Sequence, residues 1–259
     1  MKSSREIIDL RHKNILQLLQ KKQTASVAEL SNRFNVTTAT IRRDLEILEK
    51  LGSIKRYFGG VQYILPPNVD VHYRTEKGNP TPAKIAIAKK AASMICPADT
   101  VFLNSSSTAL LILDYLSDIH ASIITNNARA LYCEYPESVD LLLTGGEVYG
   151  NKQSLVGEFA ISSIKKVTAG ICFMGASGVS SVGGVTSSIV QEVNVNQSMI
   201  SQCSGPKIVV ADSSKIGVRQ SFFSYGLEQV THLITDSAAD KRELELISNC
   251  GVEIIVVDV

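Results

Sequence analysis

No CxxC pair occurs among the five cysteines, at positions 96, 133, 172, 203 and 250, and their number is odd. A disulfide framework or a finger-type zinc site needs closely spaced ligands, so scattered reduced thiols are the expectation. The four histidines, at 12, 72, 120 and 232, show no HxxxH or HxH spacing, and no metal site or other cofactor is expected. Long apolar runs are missing too. The stretches LLIL at 110–113 and IIVV at 254–257 fall far short of the ~20 residues that cross a bilayer. The first residues, MKSSREIIDLRHKN, carry charge where a signal peptide needs its apolar core, so a cytoplasmic chain with no membrane partner is expected.

Net charge is also nearly absent, 26 Lys+Arg facing 25 Asp+Glu in 259 residues, but the balance conceals an asymmetry. Residues 1–65 hold 12 Lys+Arg against 6 Asp+Glu, a surplus of +6, while the remainder holds 14 against 19, or −5. A basic head on a mildly acidic body confines polyanion binding to the head. The length allows about two domains at roughly 150 residues each, and 44% hydrophobic residues supply a sizeable core.

The head is helical by pattern. REIIDLRHKNILQLLQKK places Ile8, Ile15, Leu18 and Leu19 on one side of a first helix. In TASVAELSNRFNV, Ser26 followed by Glu29 is a capping box that opens a second helix. Val36 and Thr37 make a tight connection, with Thr37 the N-cap of a third helix that runs to about Leu51 and stops at Gly52. Along it Ile41, Leu45 and Leu48 form an inward stripe, which turns Arg42 and Arg43 outward. Two short helices so closely joined make a helix-turn-helix. The following SIKRYFGGVQYIL, alternating around Gly59-Gly60, predicts a two-stranded hairpin, the wing of a winged helix-turn-helix.

A recognition helix enters the major groove with its N-terminal turns nearest the bases. Thr37, Thr38, Ala39, Thr40, Arg42 and Arg43 therefore form the candidate surface for double-stranded operator DNA. The planar fork of arginine pairs with guanine or grips phosphate oxygens. Lys55 and Arg56 on the wing, with Lys21, Lys22 and Arg33, are candidates for phosphate contacts.

Proline-rich ILPPNVDVHYRTEKGNPTP reads as a linker, giving a head at 1–64, a linker at 65–82 and a body at 83–259. The body alternates apolar strands with helical segments. Strands are expected at 100–103, 122–125, 140–144, 170–175, 207–212, 232–236 and 253–259, and helices in TALLILDYL, SIVQEVNVNQSMISQ and DKRELELISN. This predicts an α/β, doubly wound and largely parallel sheet. Ligands of such sheets bind beyond the carboxyl ends of the strands. The residues there are small and polar: Asn104-Ser105-Ser106-Ser107-Thr108, Thr125-Asn126-Asn127, Gly145-Gly146, Gly175-Ala176-Ser177-Gly178 and Asp212-Ser213-Ser214-Lys215. Hydroxylated loops that open onto helices present amides and a positive dipole end to an anion, and Lys215 supplies a full charge. A phosphorylated polyhydroxy compound such as a sugar phosphate is the expected ligand.

VTTATIRRDLEILEKLGSIKRYFGGV closely resembles the signature of the DeoR family of bacterial transcription regulators, with its TIRRDL core and Gly-Gly wing. Phe58 stands where that family commonly has histidine. KIAIAKKAASMI, NSSST, ITNN, LTGGEV, SLVGEF, FMGASGV, the helix around Glu192 and ADSSKIG with LITD resemble successive blocks of its effector domain, similar in fold to ribose-5-phosphate isomerase. The resemblance implies a repressor of carbohydrate genes, a homodimer or higher oligomer, that senses a phosphorylated sugar. It implicates Asn104, Ser105, Ser106, Ser107, Thr108, Asn126, Gly145, Gly146, Gly175, Ser177, Gly178, Glu192 and Lys215 in effector binding. The block usually read D-S-G-T-T has Asn104 for the aspartate and Ser106-Ser107 for Gly-Thr. Such a change removes an acceptor for sugar hydroxyls and restricts the backbone wherever positive φ is needed.

The alternative is an active sugar-phosphate isomerase carrying a DNA-binding appendage. Enediol chemistry needs a carboxylate base beside the reacting carbon, which Asn104 cannot supply, leaving Asp212, Glu192 and Lys215 as acid-base groups. Catalytic residues are not expected.

Overall fold

The computed structural model describes residues 11, 12, 14–16, 18, 19, 22, 24–50, 54–57, 60–63, 80–150 and 153–259. Ile8, Lys21, Gly52, Phe58, Gly59 and nearly all of the expected linker lie outside these. The chain forms two compact units, residues 1–76 and 77–259, each with its own core.

In the first unit the described residues of 11–22 are helical, and Ile15 and Leu19 are buried. A short strand β1 (Thr24–Ser26) precedes α1 (Val27–Phe34), whose N-cap Ser26 accepts the Glu29 amide at 3.1 Å. Asn35 ends α1 in the left-handed region at φ 50°, which a short polar side chain tolerates. The Val36 amide returns to the Ser31 carbonyl at 3.2 Å, and α2 (Thr38–Lys50) follows at once. Strands β2 (Ile54–Tyr57) and β3 (Gly60–Tyr63) pair antiparallel, and β1 adds to the far side of β3. The wing is thus a three-stranded sheet where a two-stranded hairpin was expected. β1 escapes sequence reading because three residues, only Ala25 of them buried, carry no period. Gly60 is also a strand residue opposite Tyr57, not part of the turn. Ile41, Leu45 and Leu48 join Leu30, Ile54 and Val61 in one core, as their spacing requires.

The second unit begins with α3 (Pro82–Ala92), capped by Thr81. Next come β4 (Thr100–Leu103), the single turn α4 (Ser107–Leu110), β5 (Ala121–Thr125) and β6 (Val139–Leu143). TALLILDYL continues from α4 as a 3₁₀ segment, Leu111–Tyr115, where a longer α-helix was expected. A ribbon of β7 (Glu147–Tyr149) and β8 (Ser154–Val156) leads into α5 (Glu158–Ile164). Then follow β9 (Ile171–Gly175), β10 (Gly178–Ser180), β11 (Gly184–Ser187) and α6 (Val190–Ser201). The chain ends with β12 (Lys207–Val210), β13 (Phe222–Tyr225), β14 (His232–Asp236), α7 (Lys241–Ser248) and β15 (Glu253–Val257).

Seven strands form one wholly parallel sheet in the order β15-β14-β12-β9-β4-β5-β6. These are the seven strands the sequence predicts. Phe102, Cys172, Met174, Val209 and Leu233 pack with α5, α6 and α7, while the alternate residues Val101, Leu103, Phe173, Ile208 and Val210 are equally buried. Burial on both faces explains why the strands read as continuous apolar runs. From β4 the chain winds outward to β5 and β6, then restarts at β9 on the other side. The order reverses between β4 and β9, the position at which such sheets open a crevice.

Candidate functional site

On the head, Thr37, Thr38, Ala39, Arg42 and Arg43 are exposed and Thr40 is half-buried. The Thr37 hydroxyl oxygen accepts the Thr40 amide at 3.2 Å, confirming it as the cap of α2. At 100° per residue Ala39 and Arg43 point almost directly away from the buried stripe, and Arg42 flanks them. Lys55 and Arg56 are exposed on β2, where Glu49 accepts the Arg56 amide at 3.0 Å. Lys22 donates to Glu29 at 2.6 Å and holds that carboxyl below its usual range. Arg33 is exposed in the last turn of α1.

One buried residue of the head was not legible as a site feature. Asp44, 3% exposed, lies among the stripe residues and accepts from Arg11 Nε at 2.7 Å and Nη2 at 3.0 Å, with His12 Nε2 2.9 Å away. Burial pushes the Asp44 carboxyl up, but the hydrogen bonds and charges of Arg11 and His12 outweigh it and leave it lowered. This pairing fixes the leading helix against α2.

In the second unit, Asn104 bridges the switch point. Its Nδ2 donates to the Gly175 carbonyl at 2.9 Å and to Asn196 Oδ1 at 3.2 Å, and its Oδ1 accepts the Gly175 amide at 2.9 Å. An aspartate would lack the donor. The amide is thus a clamp between the ends of β4 and β9, whatever acceptor it costs a ligand. Ser106 sits at φ −72°, so serine carries no backbone strain there, and its hydroxyl caps α4 through the Ala109 amide at 3.0 Å. Gly175 must stay small, since a Cβ would fall 1.8 Å from the Ser106 hydroxyl oxygen.

Beside this clamp lies Glu192, buried in the first turn of α6, where the helix dipole favours an anion. Its Oε1 accepts from Ser105 Oγ at 3.1 Å and Ser154 Oγ at 2.6 Å. Asn127 donates to the Ser105 carbonyl at 3.2 Å, and Asn126 donates to the Leu155 carbonyl at 3.1 Å. The Asn126 Oδ1 atom is buried with no hydrogen-bond partner among the described residues. Asn104, Ser105, Ser106, Asn126, Gly175 and Glu192 are therefore brought together. Ser154 and Asn196 complete the cluster without having been singled out. Asn196 follows Glu192 by four residues and so shares its helix face, a signal available in the sequence.

The other expected residues make no hydrogen bond to this cluster among the described residues. Ser107 is exposed, with Lys84 Nζ 3.4 Å from its hydroxyl, and Thr108 is buried within α4. Gly145 and Gly146 form an exposed turn at φ +69° and +112° that leads into β7. The Ser177 hydroxyl faces that of Ser188 at 3.4 Å, and Gly178 opens β10. Lys215, half-buried, ends the 3₁₀ turn Ser213–Lys215, which Asp212 caps through the Ser214 amide at 3.1 Å.

The expectation that five loops open onto helices needs correction. Only the loop after β4 enters an α-helix. Those after β5 and β12 make 3₁₀ turns, and those after β6 and β9 reverse into β7 and β10. Asx turns at Asn127 and Asp212 and positive-φ glycines bend the chain before a helix starts. Among the described residues, no group of three His, Cys, Asp or Glu is placed to hold a metal ion, and no helix is long and apolar enough to cross a membrane.

A winged helix-turn-helix followed by a parallel-sheet unit with a buried polar cluster at its switch point defines a class, a DNA-binding head joined to a sensor body. The model of the DeoR C-terminal sensor domain matches residues 80–237, and that of the DeoR-like helix-turn-helix domain matches residues 11–66. The chain belongs to the DeoR family and is a transcription regulator. It is 30% identical to the uncharacterized HTH-type transcriptional regulator YulB of Bacillus subtilis (strain 168), covering 95% of this chain and 96% of that one. It is 31% identical to the lactose phosphotransferase system repressor of Streptococcus mutans, over 90% of this chain and 93% of the relative. Among solved structures, ribose 5-phosphate isomerase A of Methanocaldococcus jannaschii aligns at 17% identity and a TM-score of 0.37, covering 51% of this chain and 52% of that one.

Proposed function

We propose that this regulator represses carbohydrate genes in the cytoplasm and that a phosphorylated sugar sets its operator affinity. The observation that carries the reading is the buried Glu192 carboxylate with the Ser105 and Ser154 hydroxyls on it, beside the β4–β9 switch point. A carboxylate and hydroxyls of this kind are the groups that accept from and donate to sugar hydroxyls. Lys215, which makes no side-chain bond among the described residues, is assigned the phosphate. A relative named as a lactose phosphotransferase system repressor supports the carbohydrate connection.

On the head, Arg42 and Arg43 read bases or grip phosphates, Thr37, Thr38, Ala39 and Thr40 line the groove, and Lys55 and Arg56 hold the backbone. One recognition helix reads few base pairs, so the chain acts as a dimer or larger oligomer on half-sites about 34 Å apart per helical turn. Effector control requires different affinities for the two DNA-binding arrangements.

A thermal-shift screen with pentose and hexose phosphates tests the ligand class, because a ligand that binds only the native state raises the melting temperature. A rise with one phosphate ester, absent with its free sugar and lost in Lys215→Ala, is expected. No shift with any ester up to millimolar concentration would refute it.

A further inference from the structure

The second unit contains a feature that effector binding does not use. Cys172 and Cys203 are buried in one core, both close to the Pro206 carbonyl, whereas Cys96 and Cys250 are exposed and Cys133 is half-buried. Cys172 lies in β9, and Cys203 follows α6 directly. Backbone contacts hold the two sulfurs in place. Ala169 and Cys203 form a parallel bridge, the Ser204 amide donates to the Ala169 carbonyl at 3.0 Å, and the Cys172 amide donates to the Pro206 carbonyl at 3.0 Å. Cys203 Sγ lies 3.5 Å from that same Pro206 oxygen. Gly205 seals the contact, since a Cβ there would come within 2.0 Å of the Gly170 carbonyl oxygen.

The two thiols are unlike. The neighbouring Cys172 thiol draws Cys203 down to about 7, against the effect of burial, and the Lys207 charge adds to this. The Cys203 thiol and complete burial push Cys172 well up. Cys203 is 4% exposed, while Ser204 and Pro206 in the same turn are exposed. A thiol lowered toward neutrality beside one held protonated is the arrangement of an attacking and a resolving cysteine.

We propose that Cys203 and Cys172 form a peroxide-responsive pair that closes to an intramolecular disulfide. The Cys203 thiolate attacks one oxygen of a hydroperoxide, an S–O bond forms as the O–O bond breaks, and the alkoxide or hydroxide leaves and takes up a proton. This leaves a sulfenic acid. Cys172 sulfur then attacks Cys203 sulfur, the S–S bond forms as the S–O bond breaks, and hydroxide departs with the Cys172 proton as water. The sulfurs lose two electrons in all and the peroxide gains them. Closure ties the end of α6, which carries Glu192 and Asn196, to β9, which ends at Gly175, so two elements of the polar cluster become covalently linked.

The test is a peptide map of the full-length chain after hydrogen peroxide, with free thiols alkylated under denaturing conditions and no reductant. A Cys172–Cys203 linked peptide that disappears after dithiothreitol is expected. In Cys172→Ser the sulfenic acid at Cys203 should persist and be trapped by dimedone. Full alkylation of Cys172 and Cys203 while Cys96 or Cys250 is oxidised would overturn the proposal, as would links from Cys203 to another cysteine only. The wild-type map decides this even if the variant fails to fold, and it does not depend on which effector is bound.

Discussion

Two side chains carry most of the lesson at the scale of single residues. Asp44 was invisible as a structural anchor because a carboxylate next to two arginines reads as part of a polar face, yet it lies on the buried side of α2 with Arg11 and His12 on it. Replacing it with alanine removes the hydrogen bonds of a buried charged pair and should cost the head about 3 kcal/mol. The pH dependence has a defined sign. A carboxyl lowered from its ordinary 3.8 contributes stability above that value and loses it as pH falls through the still lower folded value. Urea unfolding of wild type should therefore show a stability loss below about pH 4 that Asp44→Ala lacks in part. Asn104 teaches the converse. As a departure from the family pattern it reads as a lost acceptor, whereas its amide uses both its donor and its acceptor on Gly175. Asn104→Asp should lower stability by about 1–3 kcal/mol, because the Gly175 carbonyl and Asn196 Oδ1 would then face a second acceptor. An unchanged melting temperature of the second unit would contradict the clamp.

Among the elements, legibility followed burial. All seven strands of the parallel sheet are apolar runs, buried in the five inner strands and partly exposed in the edge strands β6 and β15, and α2 has a stripe at helical spacing, so each was readable with its limits correct to within two or three residues. The strands that were not readable, β1, β7, β8, β10, β11 and β13, have three or four residues each, and β1, β10 and β11 consist mostly of glycine, serine and threonine. Some pair with partners distant in sequence, such as Ala25 with Val61 and Thr186 with Phe223, which no local period reveals. The site divided in the same way. Positions on strand ends were located by the sheet topology, whereas Ser154 reaches Glu192 only because the β7–β8 ribbon folds back over β5. Caps were legible and make a prediction for the head. Thr37→Ala removes the side-chain acceptor for the Thr40 amide and should cost about 1 kcal/mol of head stability, measured by urea unfolding. On the wing, Lys55→Ala should lower the salt dependence of DNA binding by a slope of about 0.9 if it holds one phosphate. An unchanged slope would remove Lys55 from the interface.

For the molecule as a whole, the surplus of +6 in residues 1–65 and the deficit of −5 in the rest divide the work between two units. The basic unit presents Ala39 and Arg43 outward from a rigid core, and the acidic unit keeps its polar residues at one rim of a sheet. The central claim is that α2 reads duplex DNA. Selection of binding sites from a random duplex pool at moderate ionic strength, with wild type and Arg43→Ala in parallel, tests it most directly. The account predicts a recurrent half-site sequence for the wild type and an affinity for that sequence weaker by about 1–3 kcal/mol in the variant. Equal enrichment by both proteins, or no enriched sequence from the wild type, would contradict it.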